Sequence, residues 1–277
     1  MKRPQLKSMK IRFSILIVLI SIIPMIIIGI MARQILSEKI KLERIKTIGQ
    51  IADAKHNQLA MLLKRANDRT ANLLLNLNSR CNVNQLNEAC SANLLKFYLL
   101  SEQAIGAALN EYRTRKNVIV GESAIQRSEF ITFKTGQYAD FSGKKGGRKE
   151  SYYVLVTDKS SGYQLAVTYP VSNLQSLFDR PQDLGSSGET FLSDGDGYFV
   201  TEPRYQSVQG ISHPIHATPM QSCLRGENRE VLDRDYSDHP VIHSFRFIPE
   251  FGAGCIMAHA DQKEAFACSS VMTWCCA

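Results

Sequence analysis

Between Phe13 and Met31 the chain reads FSILIVLISIIPMIIIGIM, an unbroken run without a charged side chain. At about 1.5 Å of rise per residue, a helix of that length reaches roughly 28 Å, enough to cross the hydrocarbon core of a bilayer. The run follows MKRPQLKSMKIR, which has five basic residues and no acidic one. A cleaved signal peptide has a shorter apolar core. GIMARQIL offers only a poor small-x-small site, so residues 13–32 are expected to remain as a transmembrane signal anchor. Pro24 is tolerable inside lipid. Lys and Arg flank both sides of the span, but the five packed into residues 1–12 favour a cytoplasmic basic tail there.

The formal charge of +7 is local. Residues 1–50 hold 10 Lys and Arg against 2 Asp and Glu, leaving 23 against 24 for the rest. Beyond residue 50 no dense basic stripe with interleaved aromatics appears, which argues against a nucleic-acid partner. Of the seven cysteines, Cys81 and Cys90 share one polar loop where closing a short ring is plausible, and Cys223 and Cys255 can pair only through the fold. Buried or unpaired thiols remain the alternative, and no CxxC or zinc-finger spacing is present.

From Gln34 to about Arg80 there is no proline and one glycine. Ile45, Ile48, Ala52, Lys55, Leu59, Leu62, Ala66, Arg69 and Leu73 recur at spacings of three and four, which predicts a long stalk helix with one mostly apolar stripe. Lys55 and Arg69 interrupt the stripe, which favours packing on the chain's own domain over an unbroken coiled-coil seam. A second helix is expected at EACSANLLKFYLLSEQ. The period then changes to two: AIGAALNEY, VIVGES, EFITF, SYYVLVT and YQLAVTYP read as strands, and VSNLQSLF as a short helix. HPVIHSFRFIPEFGAGCIMAHADQKEAF repeats the order strand, turn, strand, helix, with Phe266 closing its helix as Phe178 closes the earlier one. Two tandem units are the economical explanation.

The stretch FLSDGDGYFVTEPRY, Phe191 to Tyr205, has two Asp-Gly pairs. Counted from Asp194 as a calcium loop it fails, because Tyr198, Phe199 and Tyr205 fall where ligands or a glycine are needed. It is expected to be a hairpin opening the second unit. GSSGET lacks the lysine of a phosphate loop.

With the anchor, the rising helix and the two units, the run Gly185 to Gly197 (GSSGETFLSDGDG) and the helix Asp261 to Phe266 (DQKEAF) resemble the double Cache sensor domains of bacterial transmembrane receptors. The resemblance covers roughly Gln34 to Ala267. It implies an α+β fold: an N-terminal transmembrane helix, a long stalk helix and two tandem PAS-like units, each an antiparallel sheet flanked by helices. The expected divisions are 33–103 for the stalk and packing helices, 104–183 for a membrane-distal unit, 184–267 for a membrane-proximal unit and 268–277 for an atypical tail. It further implies a single-pass protein of the bacterial inner membrane with its bulk in the periplasm. Such a protein senses a small molecule for a histidine kinase, a diguanylate cyclase or a chemotaxis output, and a homodimer is expected. In this family small molecules bind more often in the distal unit. The amino-acid-binding version carries a Tyr, Arg, Trp, Tyr, Asp pattern, and this distal unit has no tryptophan. After Ala267 the chain reads CSSVMTWCCA where the family would enter a second span. A truncated or frame-shifted product is the expectation, with a natural single-span protein as the alternative.

By alternation, Arg113, Tyr138, Asp140, Tyr152, Tyr153 and Tyr169 have the chemistry for a ligand: a guanidinium fork for an anion, a carboxylate for an amine, and phenol rings as walls. Against this, Tyr152 and Tyr153 straddle one ordinary strand. His213, His216, His239 and His243 occur as HPIH and HPVIH, with His239 and His243 expected on one strand face, but no HExxH accompanies them. No metal site, cofactor or enzyme activity is expected, and no nucleophile elbow or P-loop occurs. The alternative function is a membrane-anchored dimerisation protein without a small-molecule ligand.

Overall fold

The computed structural model describes residues 5–81, 87–111, 117–122, 138–142, 150–158, 162–179, 184–204, 213–249, 252 and 254–271. The chain divides into two compact units, Met1–Arg44 with Ala265–Ala277, and Ile45–Glu264, here called the body. Helix α1 is Gln5–Arg80 and helix α5 is Gln262–Val271. In the first unit, α1 carries the apolar run with its side chains exposed, as at Ile20 (63%) and Met25 (74%). It is long and apolar enough to cross a membrane.

The body holds two antiparallel sheets. The first comprises β1 (Gly106–Glu111), β2 (Asn117–Gly121), β3 (Tyr138–Ser142), β4 (Ser151–Asp158) and β5 (Tyr163–Pro170), in the order β2-β1-β5-β4-β3. The second comprises β6 (Glu189–Ser193), β7 (Arg229–Arg234), β8 (Pro240–Ile248) and β9 (Gly254–Asp261), in the order β6-β9-β8-β7. Helix α2 is Glu88–Glu102, α3 is Ser172–Phe178 and α4 is Thr218–Leu224. The predicted strand EFITF lies outside the described residues. Strands YADFS and REVLDR and helix TPMQSCL are additions to the predicted elements, being short and polar or proline-bearing.

The stripe of α1 packs on the body itself. Ile48, Ala52, Leu59, Leu63, Leu73, Leu74 and Leu77 are buried. Leu59, Leu63 and Leu77 join one cluster with Leu109, Val154 and Leu165 of the first sheet and Leu192 and Ile256 of the second. Each fully buried leucine contributes about 2 kcal/mol of transfer free energy. The two cations do not lie in that core: Arg69 pairs with Glu102 on the surface, and the half-buried Lys55 reaches the carbonyl of Leu177. Disulfides join Cys81 to Cys90, between the end of α1 and the start of α2, and Cys223 to Cys255, between α4 and β9. By loop-closure entropy they contribute about 3 and about 4 kcal/mol.

The Asp-Gly stretch departs from the expected hairpin. Asp194 turns the chain, its carboxylate accepting the backbone N–H groups of Asp196 (3.0 Å) and Tyr198 (2.8 Å). The returning strand reduces to one bridge, Ser193 to Phe199. The Thr201 hydroxyl takes the N–H of Leu192 that a return strand would need, and the ladder partner of β6 is β9. The final helix also runs past the expected end at Phe266, to Val271.

The GSSGE motif is a seat for the start of α5. Glu264 accepts hydrogen bonds from the N–H of Ser186 (2.5 Å), its hydroxyl (2.9 Å) and the N–H of Ser187 (2.6 Å). Gly185 has φ of +77°, and a Cβ there would lie 2.5 Å from the Glu264 carboxylate, so both the backbone and the space call for glycine. The serine donors hold the Glu264 carboxyl down at about 2, below its ordinary 4.5. Since the folded pKa is depressed, the seat's contribution is complete above pH 4.5 and is lost as pH falls from there towards 2. Glu264→Gln is expected to lower hydrogen-exchange protection of the Ser186 and Ser187 amides about tenfold at neutral pH, the scale of one partly exposed charged hydrogen bond. The same amides in the unsubstituted chain should lose protection between pH 4.5 and 2; unchanged protection in the variant refutes the clamp.

Candidate functional site

The first sheet has two chemically different faces. Facing the helices are Ala107, Leu109, Val118, Val120, Val154, Val156, Leu165 and Val167, all in the shared cluster. Tyr152 and Tyr169, paired across β4 and β5, belong to this face; their rings stack at 5.4 Å and 21°. The hydroxyls of Tyr169 and Tyr98 of α2 meet at 3.3 Å. Burial pushes the Tyr152 and Tyr169 phenols well above their usual range, so both are neutral at any ordinary pH. Together with Met61, Leu62, Arg65 and Leu177 they line a cavity of about 490 Å³ beside α1.

The opposite face alternates with the first along each strand. Its centre is small and apolar: Ala108 faces Ala166, which faces Leu155, and all three are fully buried. Around them stand the buried polar residues Asn110, Gln164 and Thr168, with Tyr153 opposite Thr168. The Asn110 amide donates to Gln164 (3.4 Å), whose own amide donates to Thr157 (3.3 Å). The buried carboxamide oxygen of Asn117, opposite Asn110, has no hydrogen-bond partner among the described residues. Two alanines at the centre with hydroxyls and amides around them give this face the kinds of polar groups that small ligands use.

Of the six residues singled out from sequence, Tyr153 is on this second face and Tyr152 and Tyr169 are on the helix side. Tyr138 and Asp140 are on β3, opposite Leu155 and Tyr153 in the register. Arg113 lies outside the described residues. Sequence reasoning missed Asn110, Gln164 and Thr168, which read as interruptions in apolar strands. The signal is present in YQLAVTY, where Gln164, Ala166 and Thr168 alternate with Leu165, Val167 and Tyr169.

The histidines do not gather as the sequence allowed. His213, His216 and His239 are exposed, and His243 is buried. His239 precedes β8, its N–H bonded to Asp235 in the turn, so it shares no strand face with His243. Among the described residues no three metal-ligating side chains are grouped to hold an ion.

No family model matches the chain, and no curated protein matches it in sequence. Solved structures do match. The ligand-binding domain of the Campylobacter jejuni chemoreceptor Tlp3, solved with L-valine, aligns over 83% of this chain and 97% of that one, with TM-score 0.61 and 11% identity. The periplasmic sensory domain of the C. jejuni chemoreceptor Tlp1 aligns over 82% and 98%, with TM-score 0.62 and 9% identity. The extracellular domain of the putative histidine kinase mmHK1S-Z3 aligns over 82% and 97%, with TM-score 0.59 and 10% identity. Two tandem antiparallel sheets on one long helix thus give this chain the double Cache, PAS-like fold of periplasmic and extracellular sensor domains of chemoreceptors and histidine kinases.

Proposed function

We propose that the chain is the membrane-anchored, extracytoplasmic sensor of a signalling receptor, without enzymatic activity of its own, and that a small molecule binds on the second face of the first sheet. The sidedness of that sheet carries the proposal: an apolar helix face backs a face of alanines, amides and hydroxyls. Tyr153 and Thr168 are the proposed contacts, with Tyr138 and Asp140 on the neighbouring strand and Arg113 as an anion partner. Tyr152 and Tyr169, back to back with them, relay the change to α1, whose packing on both sheets turns a local shift into a movement of the helix. Residues 104–183 act as the membrane-distal unit and 184–267 as the membrane-proximal one, in keeping with the two separate sheets. The apolar run of α1 anchors the chain in an inner membrane, and two disulfides suit an oxidising compartment.

Thermal denaturation of the full chain in detergent, against a panel of amino acids, short carboxylates and amines, tests the ligand site. A binder at about 100 times its Kd should stabilise by about 2.7 kcal/mol. Tyr153→Ala should abolish that shift, and Tyr152→Phe should keep it. A shift that survives Tyr153→Ala but disappears on filling the helix-side cavity with Leu62→Trp moves the site to α1.

Reporter fusions after Ala267 test topology. A periplasm-active reporter should be active; activity of a cytoplasm-active reporter alone reverses the orientation.

The chain is further proposed to act as a homodimer, since Phe97 and Leu100 stand largely exposed within one turn of each other on α2. Exposed large apolar side chains grouped in this way mark association surfaces. Sedimentation of the full chain should give two copies, and Leu100→Glu should weaken association at least tenfold. A monomer at micromolar concentration refutes the dimer.

A further inference from the structure

Across the second sheet, β6, β9 and β8 place Glu189, His259 and His243 in one cross-strand row. Each is only 2% exposed. The Glu189 carboxylate is fully engaged: one oxygen lies 3.1 Å from His259 Nε2 and accepts the Tyr236 hydroxyl at 2.9 Å, and the other accepts the N–H of Arg204 at 2.7 Å. His243 Nε2 lies 3.1 Å from the carbonyl of Arg234. A carbonyl only accepts, so this contact places the proton of the neutral ring on Nε2 and leaves Nδ1 as a bare lone pair. Nδ1 of His243 and Nδ1 of His259 are both buried without a hydrogen-bond partner among the described residues. The two rings meet edge to face, with centroids 5.4 Å apart.

Among the described residues, the groups that face His243 can be named from each side. On β9 it meets His259, with Glu189 behind on β6. At the end of β7 and in the following turn are Asp233, Asp235 and Tyr236. Its partner on β7 is Val231, and α4 (TPMQSCL) contributes no charged side chain. Beside the row, on the same face of the sheet, lie Phe191, Phe245 and Met257, with Phe199 packed on Phe191. Both oxygens of Glu189 are already taken, by His259 and Tyr236 on one and by Arg204 on the other. A proton added to His243 would land on a buried nitrogen that has no acceptor among the described residues, beside another histidine and an aromatic core, where an unpaired charge is costly.

We propose that His243 is a proton-binding site that makes the second sheet acid-responsive: taking up a proton drives the ring from its seat and opens the β7–β8 turn, which Tyr236 pins to Glu189. Burial first, and then His259, holds the imidazole down from its ordinary 6.5 to about 4. A base with a depressed pKa in the closed form binds fewer protons there than in an open form that exposes it. The closed form is therefore fully favoured above pH 6.5, loses ground as pH falls from 6.5 towards 4, and changes no further below that. Between pH 7.5 and pH 5 these values shift the closed-to-open ratio about 30-fold. The proposal is independent of any ligand at the first sheet, and so is its test.

Hydrogen exchange of the full chain in detergent, corrected for the intrinsic pH dependence of exchange, is measured over residues 229–248 near pH 7.5 and near pH 5. Protection is expected to fall about 30-fold in the unsubstituted chain while the first sheet keeps its own. His243→Gln, whose amide still donates to Arg234, should remove the pH dependence. Equal protection at both pH values, or an undiminished fall in His243→Gln, overturns the proposal. If the variant does not fold, the unsubstituted chain decides: protection falling with a one-proton slope between pH 6.5 and 4 supports the site, and a flat profile overturns it.

Discussion

Both sheets of the body bury one face against the same helix, and the rest of the structure follows from that shared surface. Leu59, Leu63, Leu74 and Leu77 form one continuous cluster with the inward side chains of both sheets. The first sheet occupies the turns around Gln58 to Arg69 and reaches Asn78, while the second engages Gly49 and Asp53. A helix has one apolar stripe to offer, so two sheets on one helix must take successive stretches of it. Neither sheet can shift on α1 without disturbing the packing on which the other depends.

With the inner faces packed on the helix, each outer face carries a buried polar cluster of its own. On the first sheet it takes the form of alanines ringed by Asn110, Gln164, Thr168 and Tyr153. On the second it is the Glu189, His259 and His243 row above an aromatic and disulfide-linked core. Charged contacts fasten the elements that leave these sheets. Arg246 bonds Asp53 (2.5 Å) and Glu230 (2.8 Å), locking α1 to β8 and β7, and Gly49 keeps that junction close, since a Cβ there would lie 2.7 Å from the Glu230 carboxylate. Glu264 fastens the start of α5 to the loop before β6. These ion pairs and bonds gain modestly in free energy and chiefly fix geometry, as partly buried charges do when every partner is present.

Legibility from sequence follows whether the forces are local. The long helix is readable from its spacing and its lack of proline. The strand pair and helix that recur in the second unit are readable from their period of two and their glycines. At Asp194 only half of the structure is legible: local turn chemistry is visible in SDGDG, but the choice of β9 over a return strand depends on a segment at the far end of the second unit. Short polar elements such as REVLDR have no periodic signature and exist because a neighbouring strand pairs with them. The stripe on α1 is legible as apolar and holds at Ile48, Ala52, Leu59 and Leu73, with Leu62 and Ala66 half-buried, while Leu63, Leu74 and Leu77 join it because the inward faces of the sheets select the buried side.

The sequence by itself determined the order of elements, the apolar run at the start, the two-module plan and the pool of aromatic and charged residues from which a site can be built, because each of these is written in local spacing and composition. Only the tertiary structure decided which face each residue serves. Alternation sends Tyr152 and Tyr153 to opposite sides, and only the position of α1 says which side is core. Likewise the GSSGE loop became a seat for Glu264, and His243 met His259 across two strands, because non-local pairing brings together groups that no sequence window contains.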